Sequence, residues 1–153
     1  MKPHNPPDWN SLVKEFGALI GAEGLEIESV GACRLELGGS LGIDFEKDLQ
    51  GGLHLYCTLP PVREQERPAS ALRLLAANYS AQREHSLIAF AFDEASGDFL
   101  VHLQLPETIH TMEDFEIAVR DFTDRAEHWT QMMLDGLTEY PSVATENQPP
   151  SFA

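Results

Sequence analysis

A chain of 153 residues with 42% apolar content suits a single domain with one core. Its 25 Asp and Glu residues against 10 Lys and Arg give a formal charge of -15, and a surface that negative repels nucleic-acid phosphates and anionic lipid headgroups. Nucleic acid and membrane are therefore excluded as expected partners. The start, MKPHNPPDW, has no apolar run, and no window approaches the ~20 apolar residues that span a bilayer, so a cytoplasmic location is expected.

Residues 1–7 are expected to be a disordered, Pro-rich N-terminus, residues 8–136 a single domain and residues 137–153 a disordered tail without periodicity. Asp8 is placed to cap a helix whose apolar positions Trp9, Leu12, Val13, Phe16, Leu19 and Ile20 recur every three or four residues. The period then changes to two in three runs: Cys33, Leu35, Leu37; Leu41, Ile43, Phe45; and Leu53, Leu55, Cys57, Leu59. GGS at 38–40 and DLQGG at 48–52 supply turns, which predicts an antiparallel meander with one face in water. Pro68 opens a second helix expected to run to about Ser80, with Leu72, Leu75, Ala76 and Tyr79 on one stripe and Leu74 and Ala77 off it. Two apolar faces imply two packing partners. SLIAFAFD reads as a strand apolar on both sides, EASGD as a turn, and Phe99, Val101, Leu103 and Leu105 as the inward set of a fifth strand. TMED, with a Thr cap at Thr111 and an acid three places on, starts a last helix whose stripe is Phe115, Val119, Phe122, Ala126, Trp129 and Met133, ending near Gly136. The fold class predicted is α+β: an antiparallel sheet of about five strands with three helices, in the order α-β-β-β-α-β-β-α.

Catalytic signals are weak. Asp44 and Glu46 share a strand face, but it is the one assigned to solvent. His54 and His102 are expected to approach each other on the polar sheet face, and two imidazoles alone make an incomplete zinc site. A hydrolase using either His with Asp44 is the third and weakest reading. Cys33 and Cys57 lack a CxxC spacing and read as buried free thiols, while GGSLG lacks the Lys of a phosphate loop. No catalytic residue, metal or cofactor is expected, and apolar surface in excess of one small core points to a protein that binds other protein.

The opening helix WNSLVKEFGALIGAEGLEIE, the LRLLAANY helix leading into SLIAFAFDEASGDFLVHLQLP, and the closing MEDFEIAVRDFTDRAEHWTQMML carry a resemblance over about residues 8–136. In order, spacing and acidity the chain resembles the class I type III secretion chaperones, the Tir chaperone (CesT-like) family. The departures are a charge-rich linker at 60–67 and a longer, Pro-rich tail. The resemblance implies a homodimer without enzymatic activity that holds the N-terminal segment of a secreted effector as an extended chain, keeping it soluble and secretion-competent. The alternative is a regulator of the same fold that sequesters an anti-activator and so controls transcription of secretion genes. It also implies a dimer seam built from the second helix and the next strand, with Leu72, Leu75, Tyr79, Ile88 and Phe90 as its residues. Effector binding is assigned in the same way to Leu12, Phe16 and Leu19 on the first helix and Leu35 and Leu37 on the first strand. For both sets the competing role is completion of the monomer core.

Overall fold

The computed structural model describes residues 5–27, 31–39 and 41–136, so the expectations for residues 1–4 and 137–153 lie outside the described residues. Pro7 is already buried ahead of the first helix, α1 (Trp9–Leu19). Asp8 caps it as its position implies, its carboxylate accepting from the Ser11 amide at 3.1 Å and the Ser11 hydroxyl at 2.8 Å. After the helix the chain turns at Gly21, which has a φ of 75°, and passes back over Gly17. A Cβ at Gly17 would sit 2.8 Å from the Leu25 Cβ, so this close return of the chain over the helix requires a glycine.

Five strands follow in the predicted order: β1 (Ala32–Leu37), β2 (Leu41–Lys47) and β3 (Leu53–Thr58), then β4 (Ile88–Asp93) and β5 (Asp98–Gln104). All pair antiparallel in the spatial order β1-β2-β3-β5-β4, because β5 returns between β3 and β4. The register sets Leu35 against Ile43, Phe45 against Leu55, Leu55 against Leu103 and Cys57 against Val101 on one face. Against these pack Trp9, Leu12, Val13 and Phe16 of α1, together with Phe115, Val119, Phe122 and Ala126 of the last helix. Each fully buried side chain of that size stabilises by about 1.5–3 kcal/mol, and a one-residue slip would turn the whole set into water.

Between β3 and β4, a 3-10 turn (Glu64–Glu66) leads into α2 (Arg67–Arg83), which carries Pro68 in its first turn. It runs one turn beyond the predicted end near Ser80, anchored by the buried Ala81. The last helix, α3 (Met112–Leu134), starts with Thr111 accepting from the Asp114 amide at 3.1 Å while its hydroxyl donates to the Asp114 carboxylate at 2.8 Å. Gly136 follows it at a φ of 74°, a conformation that suits a helix stop.

Candidate functional site

The two edges of the sheet differ. Along β4 lies α2, and the Asn78 amide hooks the strand by accepting from the Phe90 N–H at 2.6 Å and donating to the Phe90 carbonyl at 3.1 Å. A side chain here satisfies the groups that a neighbouring strand would otherwise take. At the other edge, among the described residues, β1 pairs with β2 alone. The Lys47 N–H bonds the Gly31 carbonyl at 2.7 Å, so in a regular ladder the odd-numbered positions of β1 face β2 and the backbones of Ala32, Arg34 and Glu36 turn outward. An edge with free donors and acceptors is a template for one more strand.

Beside that edge is a groove of about 420 Å³ between α1, β1 and α3. Phe16, Ile20 and Ala22 form one wall, Leu35 and Leu37 line the strand side, and Val119 and Thr123 face them from α3. Three of the residues singled out for effector binding, Phe16, Leu35 and Leu37, thus meet at one place. Phe16 is 6% exposed and packs edge-on to Phe115 with ring centroids 5.7 Å apart, so it belongs to both core and groove. Leu12 is buried in the core and Leu19 is exposed on α1, and neither lines the groove. The α3 contribution had no separate signal, because Val119 reads as one more member of a core stripe. Ile20, 43% exposed at the end of α1, is the large apolar groove residue most open to a ligand.

The polar face of the sheet is bound up in its own interactions. Arg34 bridges Asp44, at 2.9 and 3.0 Å, and Glu36, and its guanidinium lies where any side chain at Gly42 would stand. Asp44 is therefore tied to an arginine and not to a histidine. His54 and His102 do approach each other, with His54 Nδ1 2.8 Å from His102 Nε2, and His54 Nε2 is 2.7 Å from Asp48 Oδ2. Tyr56 stacks on His102 with centroids 4.8 Å apart. With Asp48 ionised and both imidazoles neutral, His54 Nε2–H donates to Asp48, which leaves Nδ1 to accept from His102 Nε2–H. The hydrogen bond from His54 holds the Asp48 carboxyl below its ordinary range, and burial followed by the neighbouring His54 charge lowers His102. Among the described residues, no group of three or more His, Cys, Asp and Glu is arranged to hold a metal ion. Cys57 is buried as expected, whereas Cys33 is only half-buried. Burial pushes both thiols up to about 11, which removes them as nucleophiles near neutral pH.

The seam residues fall into two groups. Leu72, Leu75 and Tyr79 are 70%, 62% and 64% exposed on one side of α2, while the opposite side buries Ser70, Leu74 and Ala81. The stripe read from the sequence is thus the outward one, and Leu74, read as lying off it, makes the inward contact. Ile88 and Phe90 lie at a hollow of about 610 Å³ between α2, β4 and α3, where Phe90 packs edge-on to Trp129 at 4.6 Å.

Over residues 11–130 the sequence matches the model of the Tir chaperone protein (CesT) family, and the chain belongs to that family. In fold it is similar to a chain in the crystal structure of the ExsC–ExsE complex, with 24% identity and a TM-score of 0.68 over 80% of this chain and 91% of that one. It is also similar to a chain of the HopA1–SchA chaperone–effector complex, with 15% identity and a TM-score of 0.65 over 80% and 93%. A third likeness is to a chain of the heterodimeric ExoU–SpcU complex from the type III secretion system of Pseudomonas aeruginosa, with 16% identity and a TM-score of 0.56 over 81% and 96%. No curated protein matches the sequence. The predicted three helices and five-stranded antiparallel sheet, in the order α-β-β-β-α-β-β-α, are the architecture found.

Proposed function

We propose that the chain is a type III secretion chaperone that binds the N-terminal segment of an effector as an added strand on β1, keeping it soluble and secretion-competent. The observation that carries this reading is the difference between the edges: Asn78 and α2 occupy that of β4, while β1 presents its backbone beside an apolar groove. Backbone pairing supplies affinity, and the groove selects alternate side chains of the client. The work is binding without catalysis, in the cytoplasm; among the described residues no helix is long and apolar enough to cross a membrane. The likeness to a chain of the HopA1–SchA chaperone–effector complex, and to one of a heterodimeric complex of the type III secretion system, supports the same reading.

The working unit is a homodimer in which the outward stripe of α2 and the hollow beside it meet a second copy. Leaving Leu72, Leu75 and Tyr79 in water on every chain would expose contiguous apolar surface of the kind that marks interfaces. A second partner class, a secretion regulator in place of an effector, draws its support from the likeness to the ExsC–ExsE complex.

The test is affinity purification from the native host, identification of the bound protein by mass spectrometry, and amide exchange on the purified complex. Slowed exchange at Ala32, Arg34 and Glu36 is the expected result. Protection confined to α2 and β4 would refute strand addition at β1. The identity of the partner, effector or regulator, decides between the two classes.

A further inference from the structure

We propose that the groove beside β1 reads charge as well as apolar shape: its occupant is an extended protein segment with apolar residues at alternate positions and a Lys or Arg adjoining them, the cation meeting Asp124. This rests on the client-binding reading above and narrows the class of client. Two acids of α3 stand on the groove, Glu116 and Asp124, with Arg120 the one cation lining it among the described residues; Glu36 of β1 borders it too, but its carboxylate turns to Arg34. Arg120 pairs with Glu116, and Arg34 reaches Glu36 while also holding Asp44. Asp124 is exposed and makes no ion pair among the described residues, so it is the charge left for a ligand to answer.

The strand geometry dictates the spacing. A segment paired to β1 turns every second side chain toward the groove, where Ile20, Leu35 and Leu37 offer apolar contact. The residues between them face the Arg34–Glu36–Asp44 network, which is already internally paired. A cation near the groove thus gains an uncompensated carboxylate, and an anion at the same place meets repulsion from it. Sequence alone gave no sign of this, since Asp124 sits in a helix rich in acids and only the fold sets it beside β1.

Three fluorescein-labelled peptides test the proposal. They share a run of Leu alternating with Ser and Thr, and differ in a single adjoining Lys, Ser or Glu. Binding is followed by fluorescence anisotropy at low salt, with the full chain. The Lys peptide is expected to bind about three- to tenfold more tightly than the Glu peptide, the range for an exposed pair when attraction replaces repulsion. Asp124→Lys should invert that order. Glu94→Lys, the same change of charge on the exposed β4–β5 turn, should leave it intact and so separate a local contact from the overall field. Ile20→Asp should abolish binding of all three peptides, and because Ile20 is partly exposed the variant should stay folded by circular dichroism. Equal binding of the Lys and Glu peptides, with Ile20→Asp still abolishing both, would overturn the charge rule and leave the groove standing. Equal effects of Asp124→Lys and Glu94→Lys would overturn the assignment to Asp124. Absence of binding by any peptide, or binding indifferent to Ile20→Asp, would overturn the groove reading and the charge rule together.

Discussion

Asn78 gives the Phe90 peptide both hydrogen bonds it would have had from another strand, and it does so from a helix. Replacing it with Ala leaves a part-buried N–H and a carbonyl unmatched, which should cost about 1–3 kcal/mol in urea denaturation. Asn78→Asp should not restore the loss, because a carboxylate accepts from the N–H but also faces the carbonyl oxygen. Nothing local in LRLLAANYS marks this residue, since its partner lies 12 positions away and is defined only once α2 lies along β4. His102 is the opposite case: its meeting with His54 was readable from strand alternation, and what the structure adds is the Asp48 end of the chain of bonds. Burial and the His54 charge lower the His102 pKa from its ordinary 6.5, so the fold favours neutral imidazole. A depressed folded pKa contributes stability that is full above the unfolded value and is lost as pH falls through the folded one. Stability measured by urea denaturation should therefore decline as pH is lowered from about 7 to about 5, and His102→Gln should flatten that slope; an unchanged slope would refute the role of His102.

Among the elements, the helices show best where periodicity suffices and where it fails. Both α1 and α3 bury most of the stripes their sequences mark, because each has a single apolar face; the stripes open only at their C-terminal ends, where Leu19 and Ile20 are exposed and Trp129 and Met133 are partly buried. With apolar residues on two sides, α2 carries no such instruction, and the choice of inward side fell to Leu74 through the path of the chain onto β4. The groove was half legible for a related reason: its β1 and α1 walls follow from alternation and helical spacing, while the α3 wall depends on how two helices pack across the sheet. Phe16 shows the consequence for experiment. It supports Phe115 in the layer between α1 and α3, so Phe16→Ala should destabilise the protein by about 3–5 kcal/mol and confuse any binding measurement. The outward stripe of α2 gives a cleaner probe. Joint replacement of Leu72 and Leu75 by Asp should convert an assembly of two 17.0 kDa chains, about 34 kDa by light scattering, into a monomer with unchanged circular dichroism. A wild-type chain that is already monomeric at micromolar concentration would remove the α2 seam.

For the molecule as a whole, a charge of -15 acts over the reach of the Debye length, ~8 Å at physiological salt, and governs encounter more than retention. Raising salt from about 0.15 to about 0.5 M should slow association with a basic client several-fold and leave dissociation within about a factor of three, as surface plasmon resonance would show. A tenfold faster dissociation would mean that ion pairs, and not the groove with its strand edge, hold the complex. The unequal edges of the sheet set a further property, the valence of the protein toward its own kind. A sheet open at both sides is a bifunctional unit and can polymerise into an unlimited ribbon through strand pairing. With α2 and Asn78 set along β4, a lone chain is monofunctional in that reaction, whereas the proposed dimer through α2 carries two open β1 edges, one from each copy. A client strand on each of those edges caps the dimer at both ends, so occupancy by client is what keeps it from linking into a ribbon.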